Sequence, residues 1–275
     1  GRMLPIAMLD CENCAIKNVC IDTRVPQITQ VEVLENDVEN GYITYRIAPY
    51  ANYRIDDGNL VTYGSNWELV PQAGIAFDGE TRHLVYCTSD IWVGVRGVEE
   101  IEPRVIRAPW RDARLVPGTV IAMRSYARPT PGIFVSGCKD ISIKSTSVYY
   151  AEGMGLLAQV TENITLERFI VGRRSNERYF STQADATHFS GCKGKIVSTG
   201  GIYEGMMDDA INVHGTYLRV TQRLADNVIV GRYMHPQAYG FYWGGKGDAV
   251  QRFRPRIFGV APHDIIQRGL LDVAH

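Results

Sequence analysis

Three aspartates in this chain offer acid–base chemistry. Asp208 and Asp209 stand side by side in "MMDDAINVHG", and Asp185, in "STQADATHFSGCKG", precedes them by 23 and 24 residues. Carboxylates brought close together resist simultaneous ionisation, which raises one pKa and sets an acid beside a base. Glycoside hydrolysis needs that pair: one carboxylic acid protonates the leaving oxygen while another carboxylate activates water or attacks carbon. His188, Glu204, Asn212 and His214 lie close by in the sequence and could bind sugar hydroxyls. Other uses of the same residues stay open. Adjacent aspartates also serve as solvated turn residues, Asx turns or calcium ligands, and a single histidine such as His188 is more often a hydrogen-bonded structural group. No G-x-S-x-G, Walker A or HExxH motif points to acyl transfer, phosphoryl transfer or zinc-peptidase chemistry.

The spacing of the aspartates must come from the elements that carry them. Segments 9–22, 136–150, 159–171 and 190–204 are variants of one unit: a turn-prone polar tetrad, alternating aliphatic residues, then a second short strand. Cys138, Thr161 and Cys192 occupy equivalent positions, 23 and then 31 residues apart. Unequal periods of this size predict a right-handed parallel β-helix, in which loops of different length leave a regular coil. Equivalent positions on successive coils lie about 4.8 Å apart, so an offset of one coil gathers the three aspartates on one patch. Within a strand Asp208 and Asp209 would face opposite ways; both serve one site only if the strand ends or bulges there, and Gly205 permits such a bend.

Helical periodicity is scarce, and short alternating runs rich in Val, Ile, Thr and Tyr predict an all-β protein. Residues 1–25 and 129–217 read as coils carrying the carboxylates. Residues 26–128 follow a different grammar, alternating around Glu39-Asn40-Gly41 and Asp57-Gly58, and predict an inserted antiparallel β-barrel or sandwich. A second β insertion begins at 218 with a hairpin near Ala225-Asp226-Asn227 and runs to 275, its last stretch fitting neither pattern. Within it, "YGFYWGGKGD" offers Trp243 as a platform for the apolar face of a pyranose. With 29 Lys+Arg against 30 Asp+Glu, the chain has no electrostatic footprint for nucleic acid. No apolar run reaches the roughly 18 residues of a membrane span. The opening "GRMLPIAMLD" reads like the middle of a strand, so the chain is taken as a fragment. Six cysteines could form three disulfides in an oxidising compartment, and the Cys11–Cys14 CxxC has no second pair of ligands to complete a zinc site.

"ADATHFSGCKGKI", followed at this distance by "YEGMMDDAINVHGTYL", resembles the core of glycoside hydrolase family 110, the exo-acting α-1,3-galactosidases. "GCKDISI" and "GLLAQVTENITL" are similar to the coils that precede that core, and the likeness runs from about residue 3 to 250. The resemblance implies a parallel β-helix with inserted β-barrel domains and release of terminal α-1,3-linked galactose, from blood-group B or linear α-galactosyl epitopes, with inversion and without metal or other cofactor. It places the acidic trio on Asp185, Asp208 and Asp209, with Asp208 as acid on the leaving oxygen and the other two holding and deprotonating water. It implies a glycan substrate and a periplasmic or extracellular location, with an export signal upstream. The family's chains are about twice this length, and the likeness ends near Arg252. A galacturonan hydrolase, a polysaccharide lyase and a glycan-binding β-helix without activity remain the alternatives.

Overall fold

The computed structural model describes residues 3–235, 241–251 and 268–270, and every regular element among them is a strand. Two units divide the chain, residues 1–214 and 215–275.

In the first unit the chain passes repeatedly through three parallel sheets in the same order. The first sheet holds Ile6–Leu9, Ile133–Ser136, Leu156–Gln159, Thr187–Ser190 and Ile211–His214. The second holds Ala15–Lys17, Lys139–Lys144, Glu162–Glu167 and Lys193–Thr199. The third holds Cys20–Ile21, Ser147–Val148, Ile170–Val171 and Ile202–Tyr203. Alternation along each strand turns one set of side chains inward. Ile133, Val135, Leu156, Ala158, Ile164 and Phe169 are all but sealed from solvent in a common core.

The corners explain the repeated polar tetrads. After the first sheet the backbone takes a left-handed conformation at Asp10, Gly137, Val160 and Gly191, which lie in register. A second such column runs through Asn13, Asp140, Asn163 and Gly194, and a third through Asn18, Ser145, Arg168 and Gly200. Positive φ suits Gly, Asn and Asp, so those residue types recur where the chain turns. Side chains add to the second column: Asn163 Nδ2 donates to Asp140 Oδ1 (2.8 Å) and Asn163 Oδ1 accepts from the Lys195 backbone N–H (3.0 Å). Cys11, Cys138, Thr161 and Cys192 also stack in register, and all six cysteines are free thiols.

Between Ile21 and Ile133 the chain leaves the parallel sheets. Glu99–Glu102, Val105–Pro109, Tyr42–Ile47, Thr29–Asp37, Val120–Arg124 and Ala73–Phe77 form, in that order, a six-stranded antiparallel sheet. Asn52–Asp56, Asn59–Gly64 and Trp67–Leu69 form a second, three-stranded antiparallel sheet. The tight turn at Asp57-Gly58, both residues at positive φ, fits the hairpin it closes. Val31, Tyr45, Leu60, Ile106, Leu115 and Ile121 build the core of this region. A third cluster joins it to the parallel sheets: Ile28, Ile75 and Ala122 pack with Tyr150, Phe180 and Met207.

In the second unit Leu218–Ala225 and Val228–Tyr233 pair antiparallel across Asp226-Asn227. Ala249–Gln251 pairs with Arg268–Leu270. The rest of the stretch from Arg252 lies outside the described residues.

Candidate active site

All three aspartates lie in corners that lead from the third sheet into the first. Asp185 stands two residues before strand Thr187–Ser190, and Asp208 and Asp209 occupy the bend before Ile211–His214. Neither adjacent aspartate is in a strand, so strand alternation does not force them apart. Gly205 starts the bend at φ 70°, and a Cβ there would come within 3.2 Å of the Phe180 and Ser181 backbone. Thr187 pairs with Ile211, a step of 24 residues, and Ala186 N–H donates to Asp209 O (2.8 Å). By continuation of this register, Asp209 is the mate of Asp185 and Asp208 falls opposite Ala184. The 23-residue offset had suggested Asp208 as readily.

The charges around the trio are arranged by a residue the motifs did not reveal. Arg128, where the chain returns from the antiparallel region, places one guanidinium nitrogen 2.5 Å from Asp208 Oδ2 and another 3.9 Å from Asp185 Oδ1. Asp185 is only 2 % exposed. Burial alone would raise its pKa, but the hydrogen bond and charge of His188, with the charge of Arg128, outweigh it and hold the carboxyl below its ordinary range. Crowding of like charges was expected to raise one carboxyl of the trio. At Asp185 the cationic and donor partners decide the direction instead.

The sugar-binding candidates divide. His188 Nδ1 lies 2.6 Å from Asp185 Oδ2, and its Nε2 lies 2.7 Å from His214 Nε2. Asn212 Nδ2 donates to Asp209 Oδ2 (3.2 Å). These three therefore gather with the aspartates. Glu204 is instead half-exposed and paired with Arg173 Nε (3.4 Å), and its carbonyl accepts from Ser181 Oγ (2.7 Å). Trp243 belongs to the second unit, where its indole N–H donates to the Thr216 carbonyl (2.8 Å).

A buried polar frame supports Asp185 from behind. Gln183 donates from its amide to the Ala127 carbonyl, and Arg124, 1 % exposed, donates to the Gln183 carbonyl (3.1 Å) while pairing with Asp90. The end of strand Val120–Arg124 is thus tied to the corner that bears Asp185. Arg128 carried no sequence signal, being 80 residues from Asp208. Nor did Gln183 and Arg124. A hollow of about 260 Å³, lined mainly by apolar residues such as Leu166, Phe189, Ile196 and Val213 with Thr187 and Ser198 among them, opens at the last described circuit of the first unit. Among the described residues no cluster of His, Cys, Asp or Glu is placed to hold a metal ion.

Sequence comparison bears on the same residues. The family described as GLAA-B beta-barrel domain I matches residues 29–121, the antiparallel region. The chain is 60 % identical over 254 residues to an alpha-1,3-galactosidase B of Parabacteroides distasonis, covering 91 % of this chain and 42 % of the relative. It is 55 % identical over 278 residues to an alpha-1,3-galactosidase B of Phocaeicola vulgatus, covering 96 % and 47 %. This chain is a relative of the α-1,3-galactosidases. An alpha-1,3-galactosidase A of Bacteroides fragilis is more distant, 31 % identical over 253 residues, with 91 % and 41 % covered. The likeness read from the "ADATHFSGCKGKI" and "MMDDAINVHG" motifs is borne out at this level. The chain spans less than half the length of these curated relatives.

Proposed function

We propose that the protein is an inverting exo-α-1,3-galactosidase, releasing terminal α-1,3-linked galactose from blood-group B type or linear α-galactosyl glycans. The observation that carries this reading is the convergence of Asp185, Asp208 and Asp209 on one set of corners, with Arg128 spanning Asp185 and Asp208. The names of the relatives supply the sugar and the linkage. In this reading the three parallel sheets are the faces of a right-handed parallel β-helix, residues 1–25 and 129–217. Residues 26–128 are an inserted β-barrel domain, and 218–275 begin a second insertion.

Asp208 acts as acid on the leaving oxygen. It must carry a proton into the complex, so its contact with Arg128 has to open as the sugar enters. Asp185, held ionised, and Asp209, oriented by Asn212, position and deprotonate the attacking water. Such a water needs about 6.5–9.5 Å between acid and base, the separation of inverting enzymes. No cofactor takes part. A periplasmic or extracellular location goes with this reading.

Incubating the intact protein with an α-1,3-galactosyl disaccharide tests the reading. Galactose is expected, with the β-anomer appearing first by proton NMR. First release of the α-anomer would make one aspartate a nucleophile. Arg128 is the feature that would favour a uronate substrate, since its guanidinium is released once the contact with Asp208 opens; the names of the relatives weigh for galactose. Release of galacturonate from galacturonan, with no action on the disaccharide, would reverse that judgement.

Trp243 is proposed as a stacking surface for the sugar. Trp243→Ala is expected to lower kcat/KM by about tenfold through loss of that contact. Unchanged kinetics in a folded variant would leave Trp243 as a structural residue of its own unit.

A further inference from the structure

Both ring nitrogens of His188 are engaged, which leaves neither for a sugar hydroxyl unless a contact breaks. Nδ1 faces Asp185 Oδ2 at 2.6 Å, and Nε2 faces His214 Nε2 at 2.7 Å, the two rings edge to face with centroids 4.8 Å apart. A hydrogen bond between two imidazole nitrogens requires one to be protonated and the other bare. With His188 neutral and His214 donating from Nε2, the His188 proton sits on Nδ1, aimed at the carboxylate; a His188 imidazolium would instead donate from both nitrogens, to Asp185 and to a bare His214 Nε2. The other tautomer would set the Nδ1 lone pair against a carboxylate oxygen and is compatible only with a protonated Asp185. His214 meets His188 across neighbouring strands: the register pairs His188 with Asn212 and Ser190 with His214.

We propose that His214 is a positioning residue that fixes the tautomer of His188 and thereby keeps Asp185 an oriented carboxylate for the attacking water. The proposal rests on the glycosidase reading above. It assigns His214 a task that neither contact with sugar nor direct proton transfer describes.

The groups facing Asp185 are His188 on the strand that follows it, Arg128 from the antiparallel region, and, in the next corner, Asp208, which shares Arg128, and Asp209, its register mate. His188 and Arg128 lower the Asp185 pKa. Losing the tautomer lock weakens the first of these contributions and raises that pKa. A base works ionised, so more of it is then protonated at any given acidic pH. The acidic limb of the activity profile moves to higher pH.

The test compares His214→Gln with His214→Leu in the intact protein on the α-1,3-galactosyl disaccharide, together with 15N imidazole spectra of His188. Gln can donate to His188 Nε2 and should preserve the acidic limb. Leu cannot, and should lower kcat by about tenfold or more at acidic pH, with KM changed by less than about twofold. The wild-type spectrum should show His188 protonated on Nδ1. A His188 protonated on Nε2 in the wild type, alone or together with Nδ1, overturns the lock whatever the activity. So does a loss confined to KM in both variants, which makes His214 a sugar contact, or a Leu variant indistinguishable from wild type. A wild-type protein inert on the disaccharide, with the Nδ1 tautomer present, marks the failure of the galactosidase reading and of the catalytic role resting on it.

Discussion

Asp208→Asn in the intact protein lowers galactose release by about 10²–10⁴-fold, the usual contribution of a positioned proton donor, without loss of folded protein. The side chain is partly exposed and lies in a bend, so its replacement by an isosteric amide disturbs no packing. What disappears is a group able to give a proton to the leaving oxygen. A substrate with an activated aryl leaving group needs little such help, so its hydrolysis should fall far less than that of the disaccharide. Retention of more than a tenth of wild-type turnover on the disaccharide would remove Asp208 from the acid role. Equal loss on both substrates would move it to the side of the water.

Phe180→Ala destabilises the fold by about 3–5 kcal/mol, a large share of the roughly 5–15 kcal/mol that holds a typical domain together. Phe180 is fully buried where the antiparallel region meets the parallel sheets. Its ring packs edge-on against Tyr150 at 6.2 Å, tilted against Tyr50 at 6.2 Å, and beneath the Arg178 guanidinium at 5.5 Å. Met207 shares this cluster and immediately precedes Asp208. Activity should therefore fall further than the folded fraction does. Urea titration of the variant gives the stability, and a shift worth less than about 1 kcal/mol would mean that the junction repacks around the missing ring.

The repeating circuit was legible because its corners demand particular residue types. Gly137-Cys138 and Gly191-Cys192 announce equivalent corners, and Asn13, Asp140 and Asn163 mark the next one, since few side chains tolerate positive φ. Val160 breaks the pattern at a corner where sterics argue against a β-branched residue, yet it holds the same conformation at φ 47° because the circuits on either side dictate it. The aspartates were legible through their offset, although only the 24-residue register between Thr187 and Ile211 singles out Asp209 as the mate of Asp185. Arg128 stayed hidden because it lies far from the trio in sequence and reaches it only through the return path of the antiparallel region. The low Asp185 pKa was illegible for a related reason: its direction depends on which partners stand within hydrogen-bonding distance, and spacing alone does not reveal them.

The long detour between Ile21 and Ile133 has a kinetic consequence. Later circuits close on their neighbours over short stretches, as Cys138 does on Thr161 at a separation of 23 residues, whereas Cys11 meets Cys138 across 127. For a flexible chain this difference adds about 1.5 kcal/mol to the entropy of loop closure. The contiguous circuits from Ile133 to His214 can therefore nucleate and propagate before the strands that precede Ile21 join them. Ile6–Leu9, Ala15–Lys17 and Cys20–Ile21 would join this block only after the antiparallel region has folded and drawn its two ends together.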